Sequence, residues 1–169
     1  DVKETLLIGF TTDSGGIKEA DERMDRFIQA CGWINLRDEG VLIDDSFYLY
    51  GRPDRSKPGR GITQAKTPAE ITQDIDENIP VIVMEHQPAE LGELASAGAD
   101  IVVAGHTHAG QVFPMTILTS IMWENGYGYL NKDGMHSIVT SGVGLFGPCI
   151  RTGTISEVVQ IRIHFDGSQ

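Results

Sequence analysis

Apolar and polar residues follow one another along the chain in a pattern that predicts short strands separated by amphipathic helices. Residues 17–31 carry apolar side chains at helical spacing, and Gly32 stands where a C-terminal cap is expected. Residues 67–70 contain a threonine, a proline and a glutamate in the order of a capping box, which predicts the start of a second helix. Residues 88–97 have one apolar face and predict a third helix that ends at Gly98.

Short apolar runs bounded by turn-forming residues predict the strands. Two pairs of runs are joined by acidic or Gly-containing turns and predict hairpins. The last run alternates strictly between apolar and polar positions, as in a strand with one buried face. The predicted strands are residues 5–10, 33–36, 41–43, 47–50, 80–85, 101–104, 127–130, 135–141 and 159–165.

The strand, helix and strand between residues 80 and 104 form a βαβ pattern, which is typical of a parallel sheet. Because such a crossover returns the chain to the same end of the sheet, both strands finish at one edge. The hairpins add antiparallel pairs to it. We therefore expect an α/β fold with a mixed sheet core flanked by helices, and a single domain over residues 1–169.

Histidines follow both strands of this βαβ unit. His86 follows the first strand, and His106 and His108 lie in the GHTHAGQ loop that follows the second. A lone histidine at such a position is ordinarily a polar residue at the sheet rim. Three imidazoles at one sheet edge instead favour a transition-metal site, because imidazole is the commonest metal ligand near neutral pH. His136 and His164 are expected at the surface.

The glycines of the same loop are expected to have a structural role. Gly105 and Gly110 bracket the two histidines at points where a tight turn requires positive φ or close backbone approach. Spacing alone leaves open whether the two imidazoles between them serve one metal ion or two.

Three motifs together resemble a known family. The GHTHAGQ loop, the EHQP motif at residues 85–88 and the VTSGVGLFGPCIRTG segment at residues 139–153 are similar to the C-terminal half of the calcineurin-like metallophosphoesterases, in particular a bacterial branch that is often membrane-associated. The resemblance implies a sandwich fold and two divalent transition metals (Mn, Zn, Fe or Ni) that activate water against a phosphoester. It also implies that His86 and His106 share one metal and that His108 binds the other.

The family's N-terminal motifs DxH, GDxxD and GNH do not occur in these 169 residues. Residues 9–17 fall where the GNH loop is expected, but Phe10 and Thr11 replace its asparagine and histidine. The resemblance therefore implies a sandwich that lacks its N-terminal half, at most one metal in this chain, and little or no activity of the chain alone. The start at Asp1 favours a fragment of a phosphoesterase. The alternatives are a non-catalytic metal-binding or structural remnant and an unrelated three-histidine hydrolase.

The charge and composition of the chain limit the kinds of molecule that it can bind. The chain has a net charge of −11, which excludes nucleic-acid binding along a broad basic surface. The expected substrate is a small-molecule or lipid-like phosphoester. Arg151 is either a phosphate ligand at the site rim or a surface arginine. Residues 51–61 are expected to form an exposed, mobile loop, whose basic run either recruits an anionic substrate or is a solvated linker.

The remaining features concern the environment of the chain. Cys31 and Cys149 have no disulfide or CxxC spacing, and no apolar run has transmembrane length. We therefore expect a cytoplasmic or membrane-peripheral protein.

Residues 112–123 are unusually apolar, which predicts either a lid that faces substrate or lipid, or a surface for packing. Packing is favoured, with homo-oligomerisation through exposed apolar surface as its consequence.

Overall fold

A computed structural model describes residues 8–9, 18–54 and 64–164. These residues form a six-stranded mixed sheet, a separate pair of two-residue strands, and short helices. The elements in chain order are β1 (Ile8–Gly9), α1 (Lys18–Ala30), β2 (Ile34–Asn35), β3 (Glu39–Ile43), β4 (Phe47–Gly51), α2 (Pro68–Thr72), β5 (Val81–Met84), α3 (Leu91–Ser96), β6 (Ile101–Ala104), a 3-10 turn (His108–Gly110), α4 (Met115–Met122), β7 (Gly128–Lys132) and β8 (Met135–Val139).

The large sheet has the strand order β3-β4-β5-β6-β8-β7. Its centre is parallel, since β4 pairs with β5, β5 with β6 and β6 with β8 in the same direction. Its two outer strands belong to antiparallel hairpins, β3 with β4 and β7 with β8. The predicted fold class, α/β with a mixed sheet and flanking helices, is confirmed, and so is the βαβ unit that delivers the histidines.

Both predicted hairpins turn through residues in the left-handed region of backbone conformation. Asp44 and Asp45 have φ of 48° and 52°, and Asp133 and Gly134 have φ of 52° and 96°. Aspartate and glycine tolerate positive φ better than other residues, so the local sequence selects these tight turns.

Helix α3 packs against the buried centre of the sheet. Leu91 and Leu94 are 2% and 1% exposed, and they belong to one apolar cluster with Val83 and Val102 of the central strands and Met135 of β8. The parallel strands β5 and β6 are therefore fixed by packing directly beneath the loops that carry the histidines.

The predicted capping box is present at the start of α2. The backbone N–H of Glu70 donates to the Thr67 hydroxyl, and the Glu70 carboxylate accepts from the Thr67 backbone N–H. Reciprocal bonds of this kind satisfy two helix-start donors that otherwise lack partners.

One strand prediction is wrong, and another lies largely outside the described residues. The prediction for residues 159–165 is wrong for the described part, because residues 155–164 contain neither helix nor strand. Their alternating pattern remains largely exposed, with Val159 45% and Ile161 40% accessible, since no edge of the described sheet pairs with them. Of the predicted strand at residues 5–10, Ile8–Gly9 is a strand paired with β2, and the other residues lie outside the described part.

The start of the predicted loop at residues 51–61 is not exposed. Gly51, Arg52 and Pro53 are buried, and the Arg52 residue is only 2% accessible. Its basic side chain therefore does not belong to a solvated charge run, because it is neutralised inside the protein. Residues 55–61 lie outside the described part of the chain, and their predicted mobility stays a prediction.

Candidate metal centre at the edge of the sheet

His86 and His106 meet at the carboxyl edge of the sheet. They follow β5 and β6, which pair in parallel with Met84 opposite Val103. His86 Nε2 lies 2.8 Å from His106 Nδ1, and the two rings stand edge to face with their centroids 4.6 Å apart. The backbone N–H of Gly105 donates to the His86 carbonyl oxygen at 3.2 Å, which ties the two loops together. The predicted convergence of these two imidazoles is thus present in the structure.

The GHTHAGQ loop has an unusual backbone. Four non-glycine residues adopt positive φ, a region that L-residues seldom occupy. Thr107 stabilises this path, because its hydroxyl donates to the Gly126 carbonyl at 2.7 Å and accepts from the Ala109 N–H at 3.1 Å. Backbone strain of this kind persists only where surrounding contacts impose it, and it gathers at functional sites. The four residues are His106, His108, Ala109 and Gln111.

The two glycines of the loop differ from each other. Gly110 has φ of +81°, and a Cβ there would lie 2.5 Å from backbone atoms of Thr116. The prediction that this position requires glycine is therefore confirmed. Gly105 does not have positive φ, and a Cβ added to it would meet its nearest neighbour, an atom of Thr140, at 3.9 Å. The same prediction for Gly105 is wrong, because the positive φ of the turn that follows β6 falls on His106 instead.

His108 lies in the same loop but points into different surroundings. Its ring stacks on Phe146, with centroids 6.4 Å apart and planes inclined by 27°. Its Nδ1 atom is buried and has no hydrogen-bond partner in the described structure. A buried imidazole nitrogen without a partner is unfavourable unless a ligand completes it.

The geometry of the first pair fits a shared ion. Two nitrogen ligands at right angles about an ion, each about 2.1 Å from it, are separated by about 3 Å. The observed separation of 2.8 Å between His86 Nε2 and His106 Nδ1 is a hydrogen-bond distance, at which one ring donates an N–H to the other. It is also close to the spacing of two ligands, which the pair reaches when that proton moves to the far nitrogen of its ring. The third imidazole does not join them, since the described residues contain no cluster of three or more His, Cys, Asp or Glu side chains arranged to hold a metal. The assignment of His86, His106 and His108 as metal ligands stays a prediction.

The protonation of the pair also suits metal binding. Burial lowers the pKa of His86, and the neighbouring His106 lowers it further. Burial likewise lowers the pKa of His106, against an opposing effect of Asp54. Both imidazoles are therefore neutral near pH 7, which is the form that ligates a metal.

Asp54 is a site residue that the sequence did not reveal. Its charge acts on both His86 and His106, and its carboxylate accepts a hydrogen bond from Gln87 Nε2 at 3.2 Å. A carboxylate beside metal-ligating imidazoles typically orients them and raises their basicity. The residue lies in the stretch predicted as a mobile loop, and no local motif marks it.

A buried charge cluster supports the loop that carries His86. Arg52 Nη1 donates to Glu85 at 2.8 Å, and its Nη2 donates to Glu90 at 2.8 Å. Burial raises the pKa of Glu85 to about 7, although the Arg52 guanidinium acts in the opposite direction. We name these three residues the Arg52 clamp. It fixes the start and the end of the EHQPAE segment, and hence the backbone on both sides of His86.

Gln111, the last residue of GHTHAGQ, anchors the glycine-rich segment after β8. Its buried amide nitrogen donates to the carbonyl oxygens of Phe146, Pro148 and Ile150, at 2.8, 3.2 and 3.0 Å. Its amide oxygen accepts from the Phe146 N–H at 2.7 Å. The motif's glutamine therefore holds Phe146 against the His108 ring.

Arg151 is placed beside the site, and its guanidinium bonds to the protein. Its Nη1 donates to the His108 carbonyl and the Thr154 hydroxyl, both at 3.2 Å. Its Nη2 donates to the carbonyls of Ser141 at 3.2 Å and Gly144 at 2.8 Å. These contacts link the histidine loop to the glycine-rich segment. The predicted phosphate contact of Arg151 stays a prediction, and it requires that some of these bonds be exchanged.

Comparison with known proteins returns metallophosphoesterases. The chain is 30% identical over 145 residues to an uncharacterised metallophosphoesterase of Aquifex aeolicus, covering 84% of this chain and 55% of that protein. It is 36% identical over 90 residues to one of Helicobacter pylori, covering 52% and 24%. It is 38% identical over 86 residues to a transmembrane protein with metallophosphoesterase domain of Danio rerio, covering 48% and 20%.

The chain belongs to the calcineurin-like metallophosphoesterase family, which the motifs, the mixed sheet and these relatives indicate together. It spans 55% or less of the length of each of these three relatives. No protein-family model matches it, and no solved structure matches it significantly. Membership implies a phosphoester hydrolase family that uses divalent metals. Among the described helices, none has the length and apolar character needed to cross a membrane.

Proposed function

We propose that this chain supplies one half of the metal centre of a phosphoester hydrolase, with His86 and His106 as ligands of one divalent transition metal. The observation that carries the proposal is the 2.8 Å approach of His86 Nε2 to His106 Nδ1 between two parallel strand ends. Their lowered pKa values favour the uncharged imidazoles, in which a change of tautomer at the hydrogen-bond donor leaves both facing nitrogens free to ligate. His108, with its unpartnered buried Nδ1, is proposed as a ligand of a second metal in the whole protein.

The chemistry that such metals supply is polarisation of the phosphoryl oxygens and a lowered pKa of bound water. The residues of this chain perform the supporting tasks. The Arg52 clamp holds the His86 loop, Thr107 holds the path of the His106 loop, and Gln111 places Phe146 beside His108. Since DxH, GDxxD and GNH are absent from these 169 residues, hydrolysis by the whole protein requires ligands beyond those named, and this chain alone is expected to bind at most one metal and to turn over weakly or not at all.

The proposed substrates are small-molecule or lipid-like phosphoesters, because a net charge of −11 opposes binding of polyanions over a broad surface. The proposed location is the cytoplasm or the surface of a membrane. Two relatives, from Danio rerio and Bos taurus, are named transmembrane proteins. Flotation with lipid vesicles tests peripheral association, and a chain that stays entirely in the lipid-free fraction would contradict the membrane-surface part of the proposal.

The metal proposal is tested by zinc and manganese loading followed by elemental analysis. We expect His86→Ala and His106→Ala each to lower metal affinity at least about tenfold, because each removes a direct ligand. His136→Ala is the matched control, since His136 is exposed on β8 and bonds to Tyr129. Equal metal content in all three variants and the parent chain would refute the assignment. Hydrolysis of an aryl phosphodiester by the loaded chain is measured in parallel.

A second candidate function is self-association without catalysis. Helix α4 exposes large apolar side chains, including Ile117 at 54%, Ile121 at 75% and Met122 at 65%. Surfaces of this kind favour pairing with a second copy of the chain. Sedimentation equilibrium on the parent chain and on an Ile121→Lys, Met122→Lys variant tests it. A parent chain that stays monomeric at high concentration excludes it, and a dimer abolished by the substitutions supports it.

A further inference from the structure

An open cavity of the described structure lies beside the imidazole pair. It has a volume of about 650 Å³ and opens between α4, the start of β7 and residues 153–155. None of the three histidines lines it. Trp123 joins the cavity to the site, because it lines the cavity and its ring also stands 5.7 Å from the His106 ring, edge to face.

The cavity wall is built into the histidine loop. Ala109, directly after His108, lines the cavity, and Gly126, another lining residue, accepts the hydrogen bond from Thr107. A group held in the cavity is therefore adjacent to whatever is bound at the imidazoles. A volume of this size is within the range of small-ligand sites, about 300–1,000 Å³.

The wall contains three aromatic side chains among small and polar ones, and the phenol groups of its two tyrosines bond to residues that do not line the cavity. The Tyr127 hydroxyl donates to Glu157 at 3.0 Å, and the Tyr129 hydroxyl is 2.8 Å from His136 Nδ1. With their hydroxyl groups bonded to Glu157 and His136, Tyr127 and Tyr129 have their rings left to line the cavity together with Trp123. Aromatic surfaces select other aromatic groups, at about 0.5–1.5 kcal/mol per ring pair beyond buried area.

The residues that line the cavity offer an anion no cationic partner. Among its lining residues, all within the described part of the chain, Glu124 is the one charged side chain. Lys132 pairs with Glu124 at 2.6 Å from outside the lining, and Glu157 adds a second carboxylate behind Tyr127. An anionic group in the cavity meets the Glu124 carboxylate, which is already paired with Lys132, and no lining cation, so its desolvation is not compensated.

We propose that this cavity binds an uncharged aromatic alcohol, and that it thereby selects phosphoesters whose alcohol portion is neutral and aromatic over those with a second negative charge. The assignment of the alcohol as part of a phosphoester rests on the proposed function. The binding of the alcohol itself does not, because it uses residues outside the metal centre.

The test uses the chain's two tryptophans, Trp33 and Trp123. In a Trp33→Phe background, the indole N–H of Trp123 gives a single nuclear magnetic resonance signal that reports on the cavity. We expect benzyl alcohol to shift this signal saturably, and 4-(hydroxymethyl)benzoate, which adds one carboxylate, to bind at least about tenfold more weakly. Equal affinities, or no shift with benzyl alcohol, would overturn the proposal.

Two substitutions on one helix locate the binding. Ser120 lines the cavity, whereas Ile121 is 75% exposed and does not line it. Because both positions are on the outer surface of α4, a tyrosine at either one leaves the core untouched. Ser120→Tyr is expected to weaken benzyl alcohol binding about tenfold, and Ile121→Tyr to change it less than about twofold. An unchanged affinity in Ser120→Tyr refutes the location.

The failures of the two proposals are distinguishable. The metal content of the parent chain and of His86→Ala and His106→Ala is measured beside the benzyl alcohol titration. Selective binding of benzyl alcohol with equal metal content in all three proteins supports the cavity assignment and refutes the metal centre. Lower metal affinity in both histidine variants, with no selectivity in the titration, overturns the cavity assignment and leaves the metal centre.

Discussion

Arg52 and Glu85 form an ion pair in the interior of the protein, with Arg52 Nη1 2.8 Å from Glu85 Oε2 and side-chain exposures of 2% and 4%. Glu85 is the residue directly before His86, so this pair lies immediately behind the candidate metal ligand. Two charges taken out of water are tolerated only while each compensates the other.

Substitution of Arg52 should therefore strongly destabilise the folded protein. We expect Arg52→Met to lower the free energy of unfolding by about 3–5 kcal/mol, because it leaves the buried Glu85 carboxylate unpaired. The matched control is Arg37→Met, whose partner is Asp25 at 3.2 Å with side-chain exposures of 13% and 16%, and which should cost about 1 kcal/mol. Urea denaturation measures both. An equal decrease of the unfolding free energy in both variants would show that the buried Arg52 clamp contributes no more to stability than the Arg37 ion pair.

Gln111 offers a second stability test. Gln111→Ala removes the acceptor of the Phe146 N–H and the two N–H donors that three carbonyl groups share, and about 3 kcal/mol should be lost at about 1 kcal/mol for each of these three groups. Hydrogen exchange at the Phe146 amide should accelerate at least about tenfold, because its protection comes from the Gln111 side chain. Gln87→Ala, which removes one bond to Asp54, is the control and should leave Phe146 protected.

The two glycines of the histidine loop give a paired test of backbone strain. Gly110→Ala places a Cβ 2.5 Å from Thr116 in a residue with φ of +81°, and we expect it to cost about 1–3 kcal/mol or more. Gly105→Ala meets no atom closer than 3.9 Å and should cost less than about 1 kcal/mol. Thermal unfolding distinguishes them. A larger loss from Gly105→Ala would mean that the described loop path is wrong.

The hydrogen-bonded carboxylate of Glu157 is expected to make the stability of the folded protein depend on pH. The hydrogen bond from the Ser141 N–H lowers the pKa of Glu157 below its ordinary value of 4.5, with further bonds from Tyr127 and Thr140. A carboxylate whose pKa is lowered by folding stabilises the folded state above its unfolded pKa and loses that effect as the pH falls through its folded pKa.

The expected result is that Glu157→Gln is less stable than the parent near neutral pH, and that the difference shrinks as the pH falls below 4.5. Urea titrations at several pH values measure the difference. Glu77→Gln, at an exposed position before β5, should change stability by less than about 0.5 kcal/mol throughout. A stability difference between Glu157→Gln and the parent chain that grows toward acid pH would contradict a lowered pKa of Glu157 in the folded state.

Much of the secondary structure and strand topology could be predicted from local sequence. The helix starts, the turns and the βαβ unit are encoded by side chains within a few residues of one another, as in the capping box at Thr67 and the acidic turn at Asp44. The approach of His86 and His106 followed from the same logic, because parallel strands joined by one helix end at a common edge.

Partners that are distant in sequence were not predictable. Arg52 resembled part of a solvated basic run, and its burial depends on Glu85 and Glu90, which lie 33 and 38 residues further along the chain. Asp54 near the imidazoles and the contacts of Gln111 with Phe146 are likewise long-range. The alternating pattern near Val159 fails for the opposite reason, since local alternation is present but the described sheet offers it no partner strand.

The register between β5 and β6 gives the imidazole pair one more property. Met84 lies opposite Val103, and His86 and His106 follow two and three residues later. A slip of one residue between these strands displaces one histidine by about 3.3 Å and turns the side chains of one strand to the other face. The separation of the two imidazoles is therefore correct only when β5 and β6 pair in this register. A metal ion that bound both histidines would stabilise this register over the shifted ones.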